Sequence, residues 1–121
     1  MKETNSKEEF KKRLYGFVVK LLKFIDQLPP DRITSVIINQ VVRSGTSILG
    51  NYVEAQSSAS KKEFINYFNI SLRSTKETMM WLALLRDTEK VSKEKIVNFL
   101  QELEEFSKIF TSSILTAKRN K

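Results

Sequence analysis

The tightest constraint on the fold is a run of six apolar residues, Phe10, Leu14, Phe17, Leu21, Phe24 and Leu28, separated by four, three, four, three and four positions. An α-helix turns once every 3.6 residues, so this alternation keeps all six side chains on one narrow stripe. Such a stripe is the seam of a helix packed nearly parallel or antiparallel to its neighbours. Ser6 with Glu9 three residues later has the form of a capping box and marks an expected start. Pro29-Pro30 marks the stop.

Three further stretches repeat the pattern. The second runs from about Asp31 to Gln56 with Ile33, Ile37, Ile38, Val41, Val42, Ile48, Leu49, Tyr52 and Ala55 as its apolar set. The β-branched run Val36-Ile37-Ile38 would suit a strand, but the length and the three-to-four spacing favour a helix. Gly45 and Gly50 weaken that helix, and close packing against a neighbour is the expected compensation. After a short polar loop, Ser60 and Glu63 form another capping-box pattern. The stripe that follows is Phe64, Phe68, Leu72, Thr75, Met79, Leu82 and Leu85, ending near Asp87-Thr88. The last helix opens at Ser92 with Glu94 in its first turn and carries Ile96, Phe99, Leu103, Phe106, Phe110 and Ile114. Lys118 and Arg119 fall in its final turn, where cations suit the helix dipole.

Four long helices joined by short loops predict an all-α, up-and-down antiparallel four-helix bundle. The expected domain is a single unit over 6–119, with 1–5 and 120–121 as loose termini. A chain of 121 residues can bury one core of this kind. Three glycines and two prolines leave little punctuation for a many-stranded sheet.

Composition narrows the chemistry. Histidine is absent, which removes the commonest general base and the commonest metal ligand. Cysteine is absent too, so there is no disulfide framework and no thiolate metal site. No paired carboxylates suggest a catalytic cleft, and no P-loop, dinucleotide fingerprint or zinc spacing occurs. The expectation is a protein with no enzyme activity, no cofactor and no metal. No apolar run reaches the roughly 18 residues of a membrane span, and no apolar signal-type stretch follows Met1. A cytoplasmic location without membrane contact is therefore expected.

The formal net charge is +7, which points to an acidic partner, with nucleic acid the first candidate beside simple solubility. On the first helix, Lys12, Arg13, Lys20 and Lys23 lie away from the Phe10–Leu28 seam. In an up-and-down bundle the end of the last helix returns beside the start of the first. Lys118, Arg119 and Lys121 would then approach Lys7, Lys11, Lys12 and Arg13 in a basic pole, diluted by Glu3, Glu8 and Glu9. The candidate phosphate-contacting residues are Lys11, Lys12, Arg13, Lys20, Lys118 and Arg119. An ordinary solvated face is the competing interpretation. Glu102, Glu104 and Glu105 form an acidic cluster that reads as solvated surface.

A second group is polar and lies on the second helix. Arg43, Ser47, Gly50, Asn51 and Glu54 share about one third of its circumference, opposite the apolar arc. They form either a solvated face or an additional interface. The apolar arc itself is broad, which suggests self-association. Most of the eight phenylalanines sit on seams and read as core. Trp81 falls off its stripe and is a candidate interface anchor, while Tyr15 and Tyr67 are candidate stacking surfaces for bases.

Arg43-Ser44-Gly45-Thr46-Ser47-Ile48, Asn51, Glu54-Ala55, Ser60-Lys61-Lys62-Glu63-Phe64, Leu72-Arg73, Glu77, Trp81-Leu82 and Leu85 resemble a bacterial four-helix-bundle family. Its members were first described as proteins encoded in intervening sequences of 23S ribosomal RNA genes and are often mislabelled as ribosomal proteins. The resemblance spans roughly residues 10–115 and is most specific from Arg43 to Phe64. It implies a four-helix bundle, frequently a homopentamer with a central channel, and no catalytic residues. A related branch includes the accessory variability determinant of diversity-generating retroelements, a basic pentamer that associates with a reverse transcriptase and its RNA. The polar positions shared with the family map onto Arg43, Ser47, Asn51, Glu54 and Glu77, and the resemblance implies an architectural role for them. Gly50 and Tyr52 around Asn51 depart from the family pattern.

The leading expectation is a non-enzymatic, oligomeric scaffold, pentameric by the resemblance, that binds RNA or DNA through a basic surface. The alternative is a protein-interaction adaptor, such as a reverse-transcriptase accessory subunit, in which Trp81 and the polar face of the second helix matter more than the lysines.

Overall fold

The computed structural model describes residues 2–120, so the expectation of loose residues at positions 1 and 121 lies outside it. Four helices follow one another, α1 (Lys2–Asp26), α2 (Arg32–Gln56), α3 (Lys61–Asp87) and α4 (Lys93–Arg119), and the described residues contain no strand. The bundle predicted from the apolar spacing is the bundle observed.

Local chemistry sets the helix ends. Asp31 caps α2 by accepting the Thr34 N–H at 2.9 Å. Ser60 caps α3 by accepting the Glu63 N–H at 3.1 Å. Glu63 reaches back to the Ala59 N–H at 3.0 Å, one residue earlier than a strict capping box. Ser92 precedes α4 without making a side-chain cap bond. At α1 the expectation fails. The helix begins at Lys2, so Ser6 lies inside it and caps nothing. Lys7, Glu8 and Glu9, which favour helix, follow Ser6, and the helix continues back through it despite Thr4 and Asn5.

The neighbours run antiparallel. Arg13 meets Glu102 and Phe10 meets Phe110, so α4 descends as α1 rises. Ser44 faces Thr78 and Ile48 faces Ser71, which fixes α2 against α3 in the same sense. Leu14, Leu21, Val41, Ile48, Leu82, Leu85, Ile96, Leu103, Phe106 and Phe110 fill the centre with no accessible surface. The α3 stripe is rotated from its expected position. Ser71, Ser74, Thr75 and Thr78 are buried, whereas Leu72 and Met79 are only partly covered. No helix among the described residues is long and apolar enough to cross a membrane.

The two contacts of α2 and α1's contact with α4 differ in kind. Small side chains let α2 and α3 approach closely. Between α1 and α4 the contact is made by phenylalanines, with Phe17 set edge-on against Phe106 at 5.2 Å and against Phe99 at 5.7 Å. Gly45 brings α2 against α1: a Cβ there would stand 3.0 Å from Cδ2 of the fully buried Leu21. Gly50 does not behave as expected, because it is exposed and its missing Cβ faces open space.

The two glycines therefore respond oppositely to substitution. Gly50→Ala should stabilise the protein by about 0.5–1 kcal/mol, since it gains helix propensity at no steric cost. Gly45→Val should destabilise it by about 1–3 kcal/mol through overpacking against Leu21. Urea denaturation followed by circular dichroism measures both, and equal effects at the two sites would refute the assigned packing.

Candidate nucleic-acid interface

The cationic residues of α1 sort into two groups once α4 is in place. Arg13 donates from Nε to Glu102 Oε2 at 2.7 Å, and from Nη2 to Glu102 Oε1 at 2.8 Å and Glu105 Oε1 at 3.0 Å. Its guanidinium carbon also lies 5.1 Å from the Phe106 ring centroid. The hydrogen bonds from Arg13 hold the Glu102 carboxyl below the usual carboxylate range, and the charges of Arg13 and Lys20 add to this. Reciprocally, the bond to Glu102 raises the Arg13 pKa. Two members of the acidic cluster thus clamp α4 to α1 rather than forming bare solvated surface. Among the described residues, no group of three or more such side chains is placed to hold a metal ion.

Lys11, Lys12 and Lys20 are exposed and have no carboxylate within 4.0 Å among the described residues. Lys118 and Arg119 are exposed at the end of α4. The register that pairs Arg13 with Glu105 leaves Arg119 fourteen residues further along α4, roughly 21 Å away along the axis. The single pole linking Lys118 and Arg119 to Lys12 and Arg13 is therefore not formed, and Lys121 lies outside the described residues. What the structure joins to Lys12 and Lys20 instead is Lys95 of α4, across a groove that also contains Gly16, Phe24 and Phe99. Sequence reasoning missed Lys95, and it placed both phenylalanines in the core although both are only partly covered. The cross-helix register was the missing information. Tyr15 is 60% exposed, and Tyr67 is partly buried against the core.

The polar residues of α2 occupy the edge that faces α3. Arg43 is paired with Glu77, and Gln40 Oε1 accepts from Arg43 Nε at 3.0 Å. The same Glu77 oxygen accepts from Trp81 Nε1 at 3.1 Å. Two turns along, Asn51 Nδ2 donates to the Ser47 carbonyl at 2.9 Å and lies 3.0 Å from Ser47 Oγ. Ser47 Oγ lies 2.8 Å from Ser74 Oγ. Deeper, Ser71 Oγ donates to the Ile48 carbonyl at 3.0 Å, and Thr78 Oγ1 lies 2.8 Å from Ser44 Oγ. Arg43, Ser47, Asn51, Glu77 and Trp81 thus belong to one row that crosses α2 and α3, whereas Glu54 is exposed apart from it. Of the buried hydroxyls only Thr75 stands on the stripe expected from the sequence; Ser71, Ser74 and Thr78 lie beside it at helical spacing.

Comparison with known proteins agrees with this architecture. The family model described as 23S rRNA-intervening sequence protein matches residues 6–112. The crystal structure of a protein of unknown function from the S23 ribosomal protein family of Bacteroides thetaiotaomicron superposes with a TM-score of 0.76 at 34% identity. That similarity covers 86% of this chain and 96% of the other. No curated protein matches.

Two consequences can be measured. The depressed Glu102 carboxyl contributes stability that is present above the unfolded glutamate pKa of about 4.3 and is lost as pH falls through the lower folded value. Glu102→Gln should therefore cost on the order of 1 kcal/mol at neutral pH and converge with the parent protein in acid. A constant difference across the pH range would contradict the clamp. Glu77→Ala removes the acceptor shared by Arg43 and Trp81. It should cost about 1 kcal/mol and shift the emission of the single tryptophan. Unchanged emission would show that Trp81 does not depend on Glu77.

Proposed function

The chain belongs to the 23S rRNA-intervening sequence protein family, and from that premise we propose that it is a non-enzymatic, oligomeric scaffold that binds RNA through the cationic side of α1 and α4. The observation that carries this reading is the division of the positive charge. Arg13, Arg43, Arg86 and Lys90 are engaged in ion pairs within the chain. Lys12, Lys20 and Lys95 line the α1–α4 groove with no such partner among the described residues, whereas Lys11 is exposed on another face of α1. Other exposed lysines and arginines are also unpaired among the described residues, but Lys12, Lys20 and Lys95 share one groove, which in a chain with a formal charge of +7 makes it a place for a polyanion to settle.

Self-association, with a pentamer as the expected assembly, is supported by apolar surface elsewhere. Ile33, Val36, Met80, Leu84 and Val97 are each 40–58% exposed. The register set by Ser44 and Thr78 brings Ile33 and Val36 of α2 to the end of α3 that bears Met80 and Leu84, and Trp81 of the same α3 segment is partly buried. Exposed apolar surface of this kind, with a partly exposed tryptophan on the same helix, suits burial against another protein surface. The same patch favours the second reading, a protein-interaction adaptor such as a reverse-transcriptase accessory subunit. In that case Trp81→Ala would release the partner while charge reversal on α1 would not.

Fluorescence anisotropy with structured RNA and with duplex DNA, over a range of salt, tests the binding reading. Affinity should fall on a log–log plot with a slope of about −0.7 to −0.9 for each phosphate neutralised. No binding at low salt, or binding indifferent to salt, refutes it. Light scattering should return a multiple of the single-chain mass of 14.1 kDa, and a monomer at all concentrations would refute the assembly.

A further inference from the structure

The groove between α1 and α4 combines features that an ordinary solvated face does not need. Its volume is about 720 Å³. Gly16 lies in it without a side chain, and nothing stands within 4 Å of where its Cβ would be. Phe24 and Phe99 contribute partly exposed rings whose centroids are 5.2 Å apart and whose planes are tilted by 44°. Lys95 Nζ lies 5.9 Å from the Phe24 centroid. Lys12 and Lys20 stand two helical turns apart on α1, so cations occur at both ends of the recess. Glu102 is the carboxylate in the groove, and Arg13 already engages it.

The geometry points to a docking site for an unstacked nucleobase of single-stranded RNA, with the flanking phosphates on Lys12, Lys20 and Lys95. This rests on the RNA-binding reading above and specifies its site and substrate class. An aromatic surface without dense hydrogen-bonding groups accepts any base, because every base has a π-face. A recess below a lysine rim admits a base only when that base is free to leave its stack, which selects single strands and loops over duplexes. Charge complementarity supplies the remainder: the groove holds four cations against one carboxylate.

Gly16→Leu fills the recess and removes no charge. The position is helical and open, so the variant should fold at least as stably as the parent. The probes are a fluorescent oligo-adenylate RNA and the same strand annealed to oligo-uridylate, titrated with the full chain at fixed low salt. The parent should bind the single strand about tenfold more tightly than the duplex. Gly16→Leu should abolish that preference and leave duplex affinity unchanged. The triple variant Lys12→Ala, Lys20→Ala, Lys95→Ala should weaken both and flatten the salt dependence. Equal affinity for the two probes, or a Gly16→Leu variant that keeps the preference, overturns the base site while sparing the broader reading if the triple variant still loses binding. Binding of neither probe by the parent overturns both. Displacement of the strand by free adenosine monophosphate as readily as by unlabelled oligo-adenylate would assign the groove to a mononucleotide and overturn the strand.

Discussion

The close approach of α2 and α3 through buried hydroxyls is the constraint on which the rest of the bundle depends. Ser44, Ser71, Ser74, Thr75 and Thr78 are buried polar groups in the middle of the protein. A hydroxyl removed from water costs free energy unless it finds a partner. Here the partners lie within a helix or across the interface, as Ser71 with the Ile48 carbonyl and Thr78 with Ser44. An apolar seam tolerates small slips, whereas a row of hydroxyls is satisfied in one register. With α2 and α3 fixed in that register, the outer residues Arg43, Glu77 and Trp81 are brought together as a consequence.

Against this rigid pair, α1 and α4 are joined by different means. Phenylalanine rings hold their axes apart, and the Arg13 clamp to Glu102 and Glu105 ties them laterally. Bulky spacers above a glycine leave a recess that small residues would have closed. The seam that holds the bundle together and the groove proposed to bind a base thus use the same residue types. Phe17 is buried, whereas Phe24 and Phe99, further toward the end of the contact, remain partly open.

Much of the fold was legible in the sequence because helical periodicity is a local property. The Phe10–Leu28 seam, the end of α2 at Gln56 and the Ser60 cap could be placed without knowing what each helix touches. Hidden from that reading was everything that depends on which helix faces which. The rotation of α3 toward its serines and threonines, the engagement of Arg13 by Glu102 and the meeting of Lys95 with Lys20 are all matters of register between segments. Ser6 illustrates the reverse error. A local pattern with the form of a cap lies inside a helix that begins four residues earlier, at Lys2.

The pairing of Arg13 with Glu102 spans 89 residues of chain, whereas α2–α3 and α3–α4 each join consecutive helices. Closing a loop of that length costs conformational entropy that neighbouring helices do not incur. The four-helix arrangement is therefore topologically a ring, closed where the first and last helices meet. The groove lies along that closure. A ligand held there by residues of both α1 and α4 bridges the two ends of the chain, acting as a non-covalent staple on the least local contact in the protein.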